Sequence, residues 1–297
     1  MTSNKINSKY KFIFLLLTFF ITSFIFIKNF HTFNENVPSR HGDDGVYFNT
    51  AFNIDKYNVS SSQIKEYRVF NHKNAIKPPM YSFFLSLFMD TEKKYKDVTL
   101  ECIYDNNIKT NCLRFVQKTK LVNLITHFIH ALTLLTLIYV LTKNIYLSFI
   151  GGILFITSTY FLNKTNIFFT ENFSGLILLI HSTFLYLMYF GKKNRNFYTI
   201  ISSITLGLLI LTKAIFLYWF YILIILQILF FGSRKMMTSK CLNPPFALYL
   251  INFKQLIIFA VVVLILVIPW QIRNFIDKGN FTISLQSGNA ISERVEY

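Results

Sequence analysis

Two adjacent carboxylates, Asp43 and Asp44, lie in the stretch HGDDGVYFNTAFNI of a chain with 14 acidic residues and 30 basic ones. A carboxylate can accept the proton that a hydroxyl group loses as it attacks a carbon atom, which is general-base chemistry. The second carboxylate could orient that hydroxyl or hold a divalent cation. A structural alternative is compatible with these roles, because an acidic residue also caps the start of a short helix.

Three cations could bind an anionic group such as a phosphate: Lys77 in KPP, Lys213 in LTKA and Arg273 in PWQIRN. Arginine suits bidentate phosphate contacts, and lysine acts as a point charge. Each cation also has a structural explanation, as a loop residue or as an anchor that reaches the membrane interface from a span end. Glu171, in FTENFSG, could support such a site or complement the dipole of a helix.

The composition around these residues indicates a membrane protein. Of 297 residues, 53% are hydrophobic and 15% are charged, whereas soluble domains carry about 25% charged residues. A helix over the longest apolar run, 197–231, would exceed ~50 Å against a hydrocarbon core of ~30 Å, so we divide it near Thr212-Lys213. The sequence therefore predicts an all-α polytopic bundle of about seven transmembrane helices. Their apolar runs are 12–27, 121–141, 145–162, 168–190, the two halves of 197–231, and 256–270.

Lysine and arginine in the short loops orient these spans, because they collect on the cytoplasmic side. They occur before the first span, at Lys143, and in the GKKNR and GSRKMMTSK loops. The N-terminus is therefore predicted to be cytoplasmic, with the first span as a retained signal anchor. A large loop at about 29–120, with short interfacial helices, is predicted to lie outside. In a bacterial host, the candidate residues would then share the outer face of the inner membrane. The net charge of +16 is explained by basic residues in the loops, which contact anionic lipid headgroups, and it is not taken as a sign of nucleic-acid binding.

Two of the three cysteines, Cys102 and Cys112, share this large loop, whereas Cys241 is distant. No cysteine spacing typical of a metal site is present. In an oxidising compartment the two loop cysteines could pair. The sequence leaves a disulfide and two free thiols as alternatives.

Five segments together resemble family 39 of the GT-C glycosyltransferases, which includes aminoarabinose transferases and protein O-mannosyltransferases. GDDGVYFNTA is similar to the first outer loop of that family, with Asp43, Asp44 and Tyr47 at the positions of its pattern. KPPMYSFFLSLF resembles its Lys-Pro-Pro segment, and TENFSGLILLI resembles its usual Pro-Glu span start, with Thr170 in place of proline. GLLILTKAIF and IPWQIRNFIDKGNFTISLQSGNA resemble its Leu-Thr-Lys and Pro-Trp-x-x-Arg-Asn segments. The five segments follow the order of the family over residues 42–290.

The resemblance implies a GT-C-type bundle that forms one transmembrane glycosyltransferase domain over residues 1–297. Its partners would be a polyprenyl-phosphate sugar donor, membrane lipids, and a hydroxyl acceptor on a lipid, glycan or protein. The sugar would move with inversion at the anomeric carbon, without a nucleotide, and a requirement for a divalent cation is left open. The residues that receive roles from the resemblance are the catalytic Asp43 and Asp44, the phosphate-binding Lys77, Lys213 and Arg273, and the supporting Tyr47, Glu171 and Asn274.

Two other functions stay open. A transporter or flippase for a lipid-linked sugar would also place charges near a headgroup, and it would show broken helices or an internal repeat. An inactive relative could keep the fold alone. Family members are generally longer than this chain, which stops soon after the Gly288-Asn289 pair. A fragment, a truncated gene and a minimal form are therefore all compatible with the sequence.

Overall fold

The computed structural model describes residues 13, 16–17, 19–21, 23–24, 37–40, 42–64, 77–190, 194–233 and 253–284, with the side chains of 190 and 230–233 excepted. Regular secondary structure in this part of the chain is entirely helical, which confirms the all-α prediction there. Much of the first predicted span, the basic loops at 191–193 and 234–252 with Cys241, and the Gly288-Asn289 pair lie outside the described residues. The helices, labelled α1 to α10 in chain order, are Asp43–Tyr57, Met80–Ser86, Leu100–Ile103, Thr110–Thr142, Ile145–Ile156, Thr159–Thr165, Glu171–Phe190, Arg195–Thr212, Phe216–Ser233 and Phe253–Lys278.

Four of these helices, α4, α7, α8 and α10, are long and apolar enough to cross a membrane. The pair α5 and α6 makes a fifth candidate span if it is counted as one element, and it bends by 53° at the break. The described side chains of α9, Phe216–Leu229, form an apolar stretch that is too short to be counted with these four. The chain is therefore an integral membrane protein with four to five candidate spans among the described residues, and the count of seven stays a prediction.

The predicted division of the longest apolar run is confirmed. Helix α8 ends at Thr212, Lys213 is extended with φ −141°, and α9 begins at Phe216. Helix α10 extends beyond the predicted apolar run, past Trp270 to Lys278. An ion pair of 3.1 Å between Arg273 Nε and Asp277 Oδ2, one turn apart, supports this polar extension.

The chain divides into two compact units, which we describe separately. The first comprises Met1–Asn74 and Tyr81–Leu179, and the second comprises Ala75–Met80 and Ile180–Tyr297. In the first unit α5 packs closely on α4 because Gly152 leaves room for Phe19 and Leu135; a Cβ at Gly152 would lie 3.1 Å and 3.2 Å from their side chains. Aromatic contacts fill the space beside this helix pair, where His127 stacks on Phe155 with ring centroids 5.0 Å apart.

The large loop of the first unit folds around α1. Phe48 and Phe52 of this helix are buried and pack against Phe115 of α4, with ring centroids 6.0 Å and 5.8 Å apart. The polar side of α1 contacts another part of the loop, where the Thr91 amide donates a hydrogen bond of 2.7 Å to the Asp55 carboxylate. The predicted short helices in this loop are therefore present as α1, α2 and α3.

Cys102 and Cys112 form a disulfide that joins α3 to the start of α4. Of the two alternatives that the sequence left open, the structure has the disulfide. Closing this short loop restricts the unfolded chain, which stabilises the folded loop by about 3 kcal/mol in the chain-entropy account.

In the second unit α8 and α10 pack at close range. A Cβ at Gly207 would lie 2.6 Å from Leu266 Cδ1, so the absence of a side chain permits this approach. His181 is buried beside α8, and its Nδ1 donates to the Ser202 carbonyl at 3.0 Å. This histidine thus has a packing role within the bundle.

Candidate functional site

The start of α1 presents its two carboxylates differently. Gly42 is the N-cap, so the expectation that an acid caps this helix is wrong; the acids occupy the first turn. There they complement the positive end of the helix dipole. Asp43 is exposed, whereas Asp44 is 9% exposed and its Oδ2 accepts a 2.9 Å hydrogen bond from the Ser39 amide. The Ser39 hydroxyl in turn accepts from the Gly42 amide at 2.9 Å. Asp44 therefore fixes the turn from which Asp43 projects.

Gly45 permits this turn to fold back on the helix. A Cβ at this position would lie 1.9 Å from the Ser39 carbonyl oxygen, a backbone atom that cannot rotate away. The glycine in the GDDGVY motif is therefore required by a backbone contact. That contact keeps Ser39 within reach of the Asp44 carboxylate.

Asp43 and Glu171 both act electrostatically on Tyr47 within the first unit. Burial, followed by the negative charges of Asp43 and Glu171, raises the pKa of the Tyr47 phenol above its usual range, while a hydrogen bond to the Thr170 side chain lowers it. Glu171 is half-buried in the first turn of α7, as the sequence predicted for the end of this span. Two motifs that are distant in the sequence therefore place their acidic residues within electrostatic range of one tyrosine.

A second set of contacts, which the sequence did not predict, holds the backbone of Tyr47 and the neighbouring Tyr81 ring. The Ser82 hydroxyl donates to the Tyr47 carbonyl at 3.0 Å, and the Tyr81 ring packs edge-on at 5.4 Å. The Tyr81 hydroxyl donates to Asn123 Oδ1 at 2.8 Å, and Asn123 Nδ2 donates to the Ile167 carbonyl at 3.2 Å. The only sequence signal was the position of Tyr81 and Ser82 directly after KPPM.

Lys120 is a further buried cation that sequence reasoning missed. It is 1% exposed at the polar end of the apolar run of α4, within electrostatic range of the Asp44 carboxylate. The hydroxyl of Tyr104 donates to Asn49 Oδ1 at 2.8 Å beside the same carboxylate. Asp44 therefore interacts electrostatically with the buried Lys120 and with Tyr104. A signal was available, because Lys120 directly precedes the predicted span.

The three predicted phosphate-binding cations belong to the second unit. Lys77 is half-buried and precedes the buried Pro78. Lys213 is half-buried at the C-terminal end of α8, where a cation complements the helix dipole. Arg273 pairs with Asp277, and its guanidinium carbon lies 4.5 Å from the centre of the Trp270 ring. A phosphate bound at Arg273 would compete with Asp277 for the guanidinium.

Asn274 has a structural role in the same unit. It is fully buried, and its Nδ2 donates to the carbonyls of Thr282 and Ile283 at 2.7 Å and 3.2 Å. Trp270 Nε1 donates to the Ile283 carbonyl at 3.0 Å. The Pro-Trp-x-x-Arg-Asn segment thus holds the chain that follows α10, and Arg273 Nη1 also donates to Asn274 Oδ1 at 2.8 Å.

No cluster of three or more histidine, cysteine, aspartate or glutamate side chains suited to a metal ion occurs within the described part of the chain. Comparison with known proteins found no matching family model, no matching curated protein and no matching solved structure.

Proposed function

We propose that the protein is a membrane glycosyltransferase that moves a sugar from a polyprenyl-phosphate donor to a hydroxyl acceptor. One observation carries the proposal: the carboxylate of Asp43 is exposed, and Asp43 and Glu171 both act electrostatically on the buried Tyr47 phenol, so three residues that the resemblance assigns to the site interact. A base must be accessible to its acceptor, and Asp43 is the exposed member of the acidic pair. The GT-C family 39 assignment belongs to this proposal.

The reaction requires one base and one leaving group. Asp43 accepts the proton of the acceptor hydroxyl as its oxygen forms a bond to the anomeric carbon. The bond from that carbon to the phosphate oxygen breaks, and the phosphate leaves with the electron pair on its lipid. This single displacement inverts the anomeric configuration. Tyr47 and Glu171 position the carboxylate or the acceptor, and Asp44 holds the turn.

The donor phosphate needs positive charge as it leaves, and the resemblance assigns Lys77, Lys213 and Arg273 to it. Arg273 pairs with Asp277, so a phosphate that binds this guanidinium has to displace or share that carboxylate. Asn274 supports Arg273 by the hydrogen bond to Nη1 and by holding the chain after α10. The outer face of a bacterial inner membrane is the proposed location, and the disulfide supports an oxidising compartment for the large loop.

The test is transfer from a panel of polyprenyl-phosphate hexoses and pentoses by the purified chain, with release of polyprenyl phosphate as the readout. Wild type should release it in the presence of an acceptor extract. Asp43→Asn should lower the rate by about 10²–10⁴-fold, the range for loss of a general base. The matched control is Asp97→Asn, which removes an exposed carboxylate from the same loop.

A transporter or flippase for a lipid-linked sugar is a second candidate, favoured by the broken pair α5 and α6 with its 53° bend. Interrupted helices are typical of transporter sites. The same preparation separates the two functions. A flippase moves a labelled lipid-linked sugar across a vesicle membrane with the sugar still attached, whereas the transferase releases the lipid phosphate.

A further inference from the structure

A groove runs along the surface of α4 in the first unit. Its upper part, which is the part beside the large loop, has a volume of about 350 Å³ and is lined by residues that include Leu87, Asp90, Lys118 and Ile125. Its lower part, of about 260 Å³, is lined by Ile125 together with Phe20, Phe24, Leu124 and Phe128. Because Ile125 lines both parts, they adjoin, and we call the whole surface the α4 groove.

The walls of the α4 groove suit a hydrocarbon chain. Leu87, Leu121 and Ile125 are exposed by 64%, 41% and 51%, although they lie beside the polar loop. From Lys118 to Phe128 the groove follows α4 for ~15 Å at the rise of an α-helix. Exposed apolar surface that continues along a spanning helix is covered by lipid in a membrane.

Two opposite charges stand at the upper end of this groove. Lys118 and Asp90 line the same cavity, and Lys118 Nζ lies 5.2 Å from the centre of the Tyr95 ring. Within the described part of the chain, neither side chain forms an ion pair with the other or with a third residue. The groove therefore offers one cation and one anion to a bound headgroup.

The position of Lys118 along α4 matches the depth of a lipid headgroup. Helix α4 has 33 residues, and at ~1.5 Å per residue it is longer than a ~30 Å hydrocarbon core. Its apolar run begins at Leu121, directly after Lys120. Lys118 thus lies about one turn above the start of the apolar run, which is the level of the phosphates.

We propose that the α4 groove binds a phospholipid with a zwitterionic phosphoethanolamine headgroup. The lipid phosphate contacts the Lys118 ammonium, the lipid ammonium contacts the Asp90 carboxylate, and one acyl chain lies along Leu121 and Ile125 toward Phe128. An anionic lipid would bring its phosphate toward Asp90 without an ammonium to compensate it. A lipid without charges would use neither side chain. Both charges together therefore select the zwitterion.

The test is native mass spectrometry of the full chain, delipidated and titrated with phosphatidylethanolamine or phosphatidylglycerol of the same acyl chains. Wild type should bind phosphatidylethanolamine about fivefold more tightly than phosphatidylglycerol, because one exposed charge contact contributes about that much to affinity. Lys118→Gln and Asp90→Asn should each remove this preference. Asparagine is suited to the second change because position 90 has a φ of 58°, which asparagine tolerates.

Two matched controls keep the test specific. Lys143 lies at the other end of α4, 5.9 Å from the centre of the Tyr139 ring, so Lys143→Gln removes a similar cation without touching the groove. Ile125→Trp fills the shared part of the groove and should lower retention of both lipids, whereas Leu141→Trp should not. Equal retention of the two lipids by wild type, tighter retention of the anionic lipid, or a preference that survives both charge substitutions would each overturn the proposal.

Discussion

At the residue scale, Asp43 and Asp44 are adjacent in the sequence but have opposite environments. Asp43 is exposed at the first turn of α1, while Asp44 is buried and accepts a hydrogen bond from the Ser39 amide. The base in our proposal is the exposed carboxylate, and the buried one keeps the turn in place. The pair therefore combines a reacting group with the contact that positions it.

Tyr47 is expected to position the reacting groups without losing its own proton. Its pKa is raised above the usual value near 10, first by burial and then by Asp43 and Glu171, so the phenol stays protonated at neutral pH. Tyr47→Phe keeps the ring packing and removes the hydroxyl, and should lower the transfer rate by about tenfold, as loss of about 1.4 kcal/mol would. Because the phenol does not titrate there, the rate should fall equally between pH 6 and 9. A shift of the pH profile in the variant would contradict this role.

Gly45 is expected to tolerate no side chain. Alanine would place Cβ against the Ser39 carbonyl oxygen, and relieving that overlap should cost about 1–3 kcal/mol of unfolding free energy. Gly151→Ala is the control, since its new Cβ would meet only the flexible end of Ile138. The measurement is the denaturation midpoint of each variant in mixed micelles. Equal midpoints for Gly45→Ala and wild type would exclude the backbone contact.

At the scale of elements, the disulfide between Cys102 and Cys112 joins α3 to α4 through their side chains. Replacing Cys102 and Cys112 together by serine should lower the free energy of unfolding by about 3 kcal/mol, the chain-entropy value for a short loop. A reducing agent should destabilise wild type by the same amount and leave the double variant unchanged. Labelling of both cysteines by a thiol reagent in untreated wild type would show that the bond is absent.

Several elements could be predicted from sequence because their signals are local. The break at Lys213 follows from the length of an apolar run and the cost of a charge in its middle. Helix α10 is longer than the predicted apolar run, because a hydropathy pattern ends where apolar residues end, whereas the helix continues through the Arg273–Asp277 pair. The roles of Tyr81 and Asn123 were missed because they depend on hydrogen bonds between distant segments. Hydrogen bonds of that kind leave no periodic pattern.

At the scale of the whole molecule, the number of crossings depends on α9. The helix covers Phe216–Ser233, and its described side chains, Phe216–Leu229, are apolar but cover less than a full span, so its crossing stays a prediction. If α8, α9 and α10 all cross, then Asn194 and Asn280, which flank them, lie on opposite sides of the membrane. Single cysteines at these exposed positions, in a chain with native cysteines replaced by serine, should therefore react with an impermeant reagent from opposite sides. Reaction of both from the same side would remove α9 from the spans.

The most direct measurement of the central claim is release of polyprenyl phosphate from a lipid-linked sugar by wild type, Asp43→Asn and Asp97→Asn in parallel. We predict release by wild type and Asp97→Asn, and a rate about 10²–10⁴-fold lower in Asp43→Asn, because only that variant lacks the base. All three should insert and unfold alike. Full activity in Asp43→Asn would contradict the assignment of the base, and no release by any of the three from any donor in the panel would contradict the transferase proposal itself.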